Sequence, residues 1–256
     1  MGDGVVKAGD LLNLPEVARV RYPRNFIKTT VCELRFPTLL ELETKPPRAF
    51  QAKIRKSYPF YESQIMEPIG GPEGMANELR YVFRSKDQHW TVSVKSSALA
   101  IETTKYVDFE NFHSRFVDIL ASAKEMVDAD FFTRIGLRYI NEIPIEDGKL
   151  EGWIRPELTV PLTGGALGSA EIYTSLIQGH MDRGQYSFRQ GYNKKRNDGA
   201  KAGGSVYRLD IDYSAENIEY QEVESLITYF NETNFRFFSW CLGEKAKAAL
   251  GKGQPK

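Results

Sequence analysis

Asp210 and Asp212 stand two residues apart in the run VYRLDIDYS. Alternate residues of a strand project from one face, so the two carboxylates would sit side by side, where a pair could serve as acid and base. Arg208 shares that spacing, and the plainer reading is ion pairing across a solvated sheet. Arg80, Arg84, Arg134, Arg138, Arg189 and Arg208 all fall on alternating positions of strand-like runs. If those strands adjoin, the guanidinium groups form a patch interrupted by Asp210 and Asp212. Such a patch can clamp phosphate bidentately. The run NKKRNDGAKAGGS adds Lys194, Lys195 and Arg196 among glycines, a basic loop suited to nucleic-acid backbone or an acidic partner.

Other chemistries find little purchase. His89, His113 and His180 have no second ligand at metal spacing. Gly164, Gly165 and Gly168 resemble a phosphate loop only in glycine content, without the Lys-Ser/Thr ending, and no Gly-x-Ser-x-Gly elbow occurs. No metal, cofactor or catalytic residue is therefore expected.

The elements that must hold these residues are clearest between Glu78 and Ile145. Leu79, Tyr81 and Phe83 alternate with Arg80, Val82 and Arg84, and Trp90, Val92 and Val94 resume the alternation after a polar turn. Leu99, Ile101 and Thr103 follow so closely that the pairing must be antiparallel. At Asp108 the period changes. Phe109, Phe112, Phe116, Ile119, Leu120, Ala123 and Val127 form a helical stripe, with Asp108 as N-cap and Val107 placed to staple against Phe112. RIGLRYIN then reads as a strand, and Gly136 within it marks a place where something packs closely.

On either side, residues 26–34 alternate as a strand, and Pro46-Pro47 opens a helix carrying Phe50, Ile54 and Tyr58. The stretch YPFYESQIMEPIGGPEG reads as a loop. A short helix is expected over residues 151–158. Residues 172–180 and 185–192 form a hairpin around Met181-Asp182-Arg183-Gly184. A long helix runs from Tyr220 to Cys241, with Asn234 in its apolar seam fixing register or satisfying a buried backbone group. Tyr139, Phe230 and Phe237 could line a small-molecule pocket beneath it.

The fold class is thus α+β: a curved antiparallel sheet with helices on one face and a long C-terminal helix. It is helix-grip-like, or built from two fused sheet-and-helix halves. Residues 1–25 form a flexible entry segment, 26–250 a single domain with halves at 26–148 and 149–250, and 251–256 a tail. With 34 basic and 34 acidic side chains in 256 residues, no global field draws the chain to polyanions. Cys32 and Cys241 are too few for a disulfide framework and sit in apolar patterns. There is no secretory signal and no membrane-length apolar run, so the expected compartment is cytoplasmic and no membrane partner is expected.

The strands VCELRFP and YVFRSKD, the stretches LAIETTKYVDFENF and GLRYIN, and the helix ending near Leu242-Gly243 resemble a sporadically distributed bacterial family of about this length, whose members carry no assigned catalytic residues. The resemblance implies a component of an anti-phage or toxin-antitoxin-like system. Together these readings favour a non-catalytic binding or assembly component, with a protein partner or self-association. Nucleic-acid or phosphate-ligand binding through the arginine face is the alternative.

Overall fold

The computed structural model describes residues 12–66, 78–145, 148–165, 170–194 and 205–255. In chain order the elements are β1 (Val20–Arg21), β2 (Ile27–Arg35), α1 (Arg48–Ile54), β3 (Phe60–Met66), β4 (Glu78–Arg84), β5 (Trp90–Lys95) and β6 (Ala98–Thr103). Then come α2 (Phe109–Val127), β7 (Phe131–Ile145), α3 (Pro156–Thr163), β8 (Ile172–Met181) and β9 (Gly184–Asn193). The chain closes with β10 (Ser205–Glu219), α4 (Val223–Cys241), α5 (Glu244–Leu250) and β11 (Gln254–Pro255). The fold is α+β, an antiparallel sheet with helices on one face and α4 as the long C-terminal helix.

The chain divides into two compact units. One, the α2 unit, comprises Thr29–Arg138 and Ser214–Ile227; the other, the α4 unit, comprises Met1–Lys28, Tyr139–Tyr213 and Thr228–Lys256. In the α2 unit the strand order is β3-β4-β5-β6-β2-β7-β10, and in the α4 unit it is β7-β10-β9-β8. β7 and β10, of 15 residues each, run through both.

In the α2 unit the register places Tyr81 opposite Val94, Val94 opposite Leu99, and Leu99 opposite Leu34. These side chains share the face on which the helices lie. Trp90 meets Phe112 of α2 with ring centroids 5.9 Å apart, and Phe50 of α1 meets Phe83 edge-on at the same distance. α2 buries Phe112, Phe116, Ile119, Leu120, Ala123 and Val127, the expected stripe. Each large member contributes about 1.5–3 kcal/mol by leaving water. Asp108 caps the helix by accepting from Asn111 N at 2.9 Å. The expected staple is not made by Val107, which is 57% exposed. Tyr106 takes that place, its ring 6.4 Å from Phe112.

In the α4 unit the sheet turns Tyr139, Tyr207, Phe188 and Tyr213 toward helices. Tyr139 Oη donates to Asn231 Oδ1 of α4 at 3.0 Å, and Tyr213 stacks on Phe230 at 5.9 Å. Phe188 meets Phe237 edge-on at 4.9 Å, and the Tyr207 hydroxyl, which donates to Gln190 Oε1 at 2.7 Å, also lies 3.3 Å from the carbonyl of Leu158 in α3.

Three further expectations need correction. The first part of the stretch read as a loop is strand β3, paired with β4 from Phe60↔Arg84 to Met66↔Glu78; residues 67–77 lie outside the described residues. Its side chains show no apolar alternation because the strand is an edge, with Phe60, Tyr61 and Ile65 all exposed. The short helix starts at Pro156, five residues later than expected. Proline is at ease in a first helical turn, where its missing N–H has no partner to lose. The last strand does not stop at Ser214 but continues to Glu219.

Candidate functional site

Arg80 and Arg84 project from the face of β4 opposite the helices, with Val82 buried between them. The register sets Arg84 opposite Phe60 of β3 and Thr91 of β5. Its Nη1 donates to Glu62 Oε2 at 2.6 Å, and Gln64 Nε2 donates to Glu62 Oε1 at 2.9 Å. Arg84 first, and then Gln64, hold the Glu62 carboxyl below the usual carboxylate range. Farther along the same face, Arg134 Nη1 lies 3.6 Å from Glu33 Oε1, which also accepts from Arg35 Nε at 2.7 Å. The Arg134 guanidinium folds over Gly136, with Nη1 at 2.7 Å from where a Cβ would stand. The close approach read from the glycine is thus made by a flexible side-chain end, which an added Cβ would push aside. Arg138 is half-buried two residues on.

In the α4 unit Arg208 is exposed and its Nη2 lies 3.8 Å from Oδ2 of the buried Asp210. Asp212 is half-buried. Arg189 is exposed on β9, opposite Leu176 of β8. Lys194 is exposed just past β9, its backbone N–H bonded to the Glu171 carbonyl. Lys195 and Arg196 lie outside the described residues. The candidates thus divide by unit. Arg80, Arg84, Arg134 and Arg138 belong to the α2 unit, and Arg189, Lys194, Arg208, Asp210 and Asp212 to the α4 unit. Three of the arginines stand beside a carboxylate, two in the α2 unit and one in the α4 unit: Arg84 by Glu62, Arg134 by Glu33, Arg208 by Asp210. The first two are ion pairs across neighbouring strands, and the third lies along β10 itself.

A set of polar groups beneath α4 escaped the sequence reading. Phe132 stacks on Tyr220, and seven residues along β7 Tyr139 bonds to Asn231, eleven residues along the chain that becomes α4. Asn141 lies two residues beyond Tyr139 on β7, and Asn234 three residues beyond Asn231 on α4. Both side chains are buried, yet Asn141 Nδ2 and Asn234 Oδ1 meet no partner among the described protein atoms, nor does Tyr213 Oη. Burial pushes the Tyr213 and Tyr207 hydroxyls well above their usual range, which keeps both as neutral donors. Only Asn234 carried a signal, as an amide in an apolar seam, and its Oδ1 satisfies no backbone group. The aromatics read as pocket lining, Tyr139, Phe230 and Phe237, are buried, Phe230 stacked on Tyr213 and Phe237 edge-on to Phe188.

Cys32 and Cys241 are both buried free thiols, and burial raises the Cys241 thiol far above its usual range. Neither presents a nucleophile to solvent. His89 Nδ1 lies 3.4 Å from Thr104 Oγ1, His113 packs on the Phe109 ring at 5.3 Å, and His180 is exposed. Among the described residues no three of His, Cys, Asp and Glu gather as metal ligands, and no helix is long and apolar enough to cross a membrane. A cleft of about 1000 Å³ opens between residues 38–53 and the end of α2, bridged by the Lys53–Glu125 ion pair at 2.8 Å. None of the candidate residues lines it.

The sequence matches no protein-family model and no curated protein.

Proposed function

We propose that this protein is a non-catalytic binding or assembly component that acts through protein–protein contacts. The observation that carries this reading is the edge strand β8, on which Ile172 is 74%, Leu176 49% and Ile177 46% exposed. Aliphatic side chains this open, clustered on a strand that ends its sheet, are surface whose burial a partner would reward. The arginines support the same reading in a different way. Each guanidinium that stands against a carboxylate has part of its charge already answered, which leaves less for a polyanion, so nucleic-acid binding draws weaker support. The family resemblance supports a cytoplasmic setting within an anti-phage or toxin-antitoxin-like system.

Cross-linking mass spectrometry on the protein in lysate of its native host tests this. Cross-links to identified protein, self or foreign, anchored at the hairpin of β8 and β9 are the expected result. A strict monomer with no cross-link beyond its own chain would overturn the reading.

A further inference from the structure

The hairpin fixes which backbone groups of β8 face outward. Its two-residue turn, Asp182-Arg183, makes Met181 and Gly184 the closing pair. Two-residue hairpins close on a hydrogen-bonded pair. At the far end Lys194 N donates to Glu171 O at 2.9 Å, which makes that pair a bonded one as well. Both ends agree: the odd-numbered residues of β8 bond to β9. Bonded and non-bonded pairs alternate in an antiparallel ladder, so Ile172, Thr174, Leu176, Gln178 and His180 aim their N–H and C=O groups away from β9. β8 is the last strand in its order, and among the described residues no strand lies beyond it.

Such an edge normally carries a guard: a lysine, a proline, a bulge or a short length. β8 has none of these. IYTSLIQGHM contains no Lys, Arg, Asp, Glu or Pro, and its register with β9 runs unbroken through 10 consecutive pairs. Its exposed aliphatics occupy both faces, Ile172 and Leu176 on one and Ile177 on the other.

We propose that β8 is a homodimer interface, in which two copies of this chain pair their β8 strands antiparallel about a two-fold axis at Leu176. The proposal rests on the protein-contact reading and names the partner. Self-complementarity selects a second copy. With the axis at Leu176, Ile172 faces the partner's His180, Thr174 faces the partner's Gln178, and Leu176 faces its own counterpart. All five outward residues then lie in bonded pairs, and five pairs at two bonds each give 10 hydrogen bonds. No formal charge opposes another, because the strand has none. The two Ile177 side chains meet diagonally on the other face, within reach for side chains of that length. An isologous pairing of this kind closes on itself and stops at two.

Light scattering after gel filtration, over a range of concentrations, tests the proposal on the full chain. The wild type is expected at dimer mass. Thr174→Pro removes one outward N–H without touching the ladder to β9, and Leu176→Lys sets two ammonium groups face to face. Both should run at monomer mass with unchanged circular dichroism. Under oxidation Leu176→Cys should form a disulfide dimer, since Cα atoms across a bonded pair stand ~5.5 Å apart, inside disulfide range. Ile172→Cys, facing the partner's His180, should not. A wild type that stays monomeric at every concentration overturns the proposal, as does a dimer that survives both substitutions. If the monomer nevertheless cross-links through β8 to a different protein, the homodimer falls and the protein-contact reading stands.

Discussion

The two edge strands, β3 in the α2 unit and β8 in the α4 unit, solve the same problem differently. Each ends a strand order, and each exposes three large apolar side chains: Phe60, Tyr61 and Ile65 on β3, Ile172, Leu176 and Ile177 on β8. β3 is seven residues long and carries Glu62, tied to Arg84 of the next strand and to Gln64 of its own. An incoming strand would have to accommodate that carboxylate. β8 is 10 residues long and carries no charge at all. Exposed apolar area alone therefore does not separate a guarded edge from an inviting one; the charge set among the apolar residues does.

The largest effects should come from the strands just behind the two edges, and they should be equal. Phe83→Ala and Phe188→Ala each remove a ring that is 1% exposed and packed on other rings. Each should cost about 3–5 kcal/mol in urea denaturation. A loss confined to Phe83→Ala would mean that β8 is bare because its whole hairpin is weakly held, which would break the contrast. A middle-sized effect is expected at Gly179, opposite Tyr186, where an added Cβ would stand 2.8 Å from the ring. The ring end can move aside, so Gly179→Ala should cost about 1–2 kcal/mol, whereas Ser63→Ala on β3 should stay within about 0.5. The smallest effect concerns acid. Because Arg84 and Gln64 lower the Glu62 value, its carboxylate resonance should titrate with a midpoint below the ~4.3 of a free glutamate. Whatever this pair adds is fully present above that ordinary value and is lost as pH falls through the lowered one. A midpoint at or above the ordinary value would mean that the guard on β3 is not formed in solution.

Much of this architecture could be read in the chain because its signals were local. Asp108 and the aromatic and aliphatic stripe after it name α2 from cap to last turn, and Asp182-Arg183-Gly184 names the hairpin. β3 was hidden because an edge strand wetted on both faces has no reason to alternate, and Pro59 beside it suggested a loop. Val107 was a reasonable staple by spacing, yet Tyr106 fills the role, since a larger ring one residue earlier reaches Phe112. The candidate site was legible only as a pattern of faces. Alternation put Asp210 and Asp212 on one side of β10 but could not say that Asp210 is buried while Asp212 is half in water. Nor could it pair Glu33 with Arg134, which depends on β2 lying beside β7.

The chain passes between its two compact units four times, inside β2, β7, β10 and α4. Every crossing falls within a regular element and none within a linker. A gene fragment encoding one unit would have to be stitched from separate pieces, and a cut at any of these four crossings would sever a strand or a helix in mid-course. Shuffling of exons or modules, the usual route by which new combinations arise, has no seam to use here, so this architecture should be inherited whole or not at all.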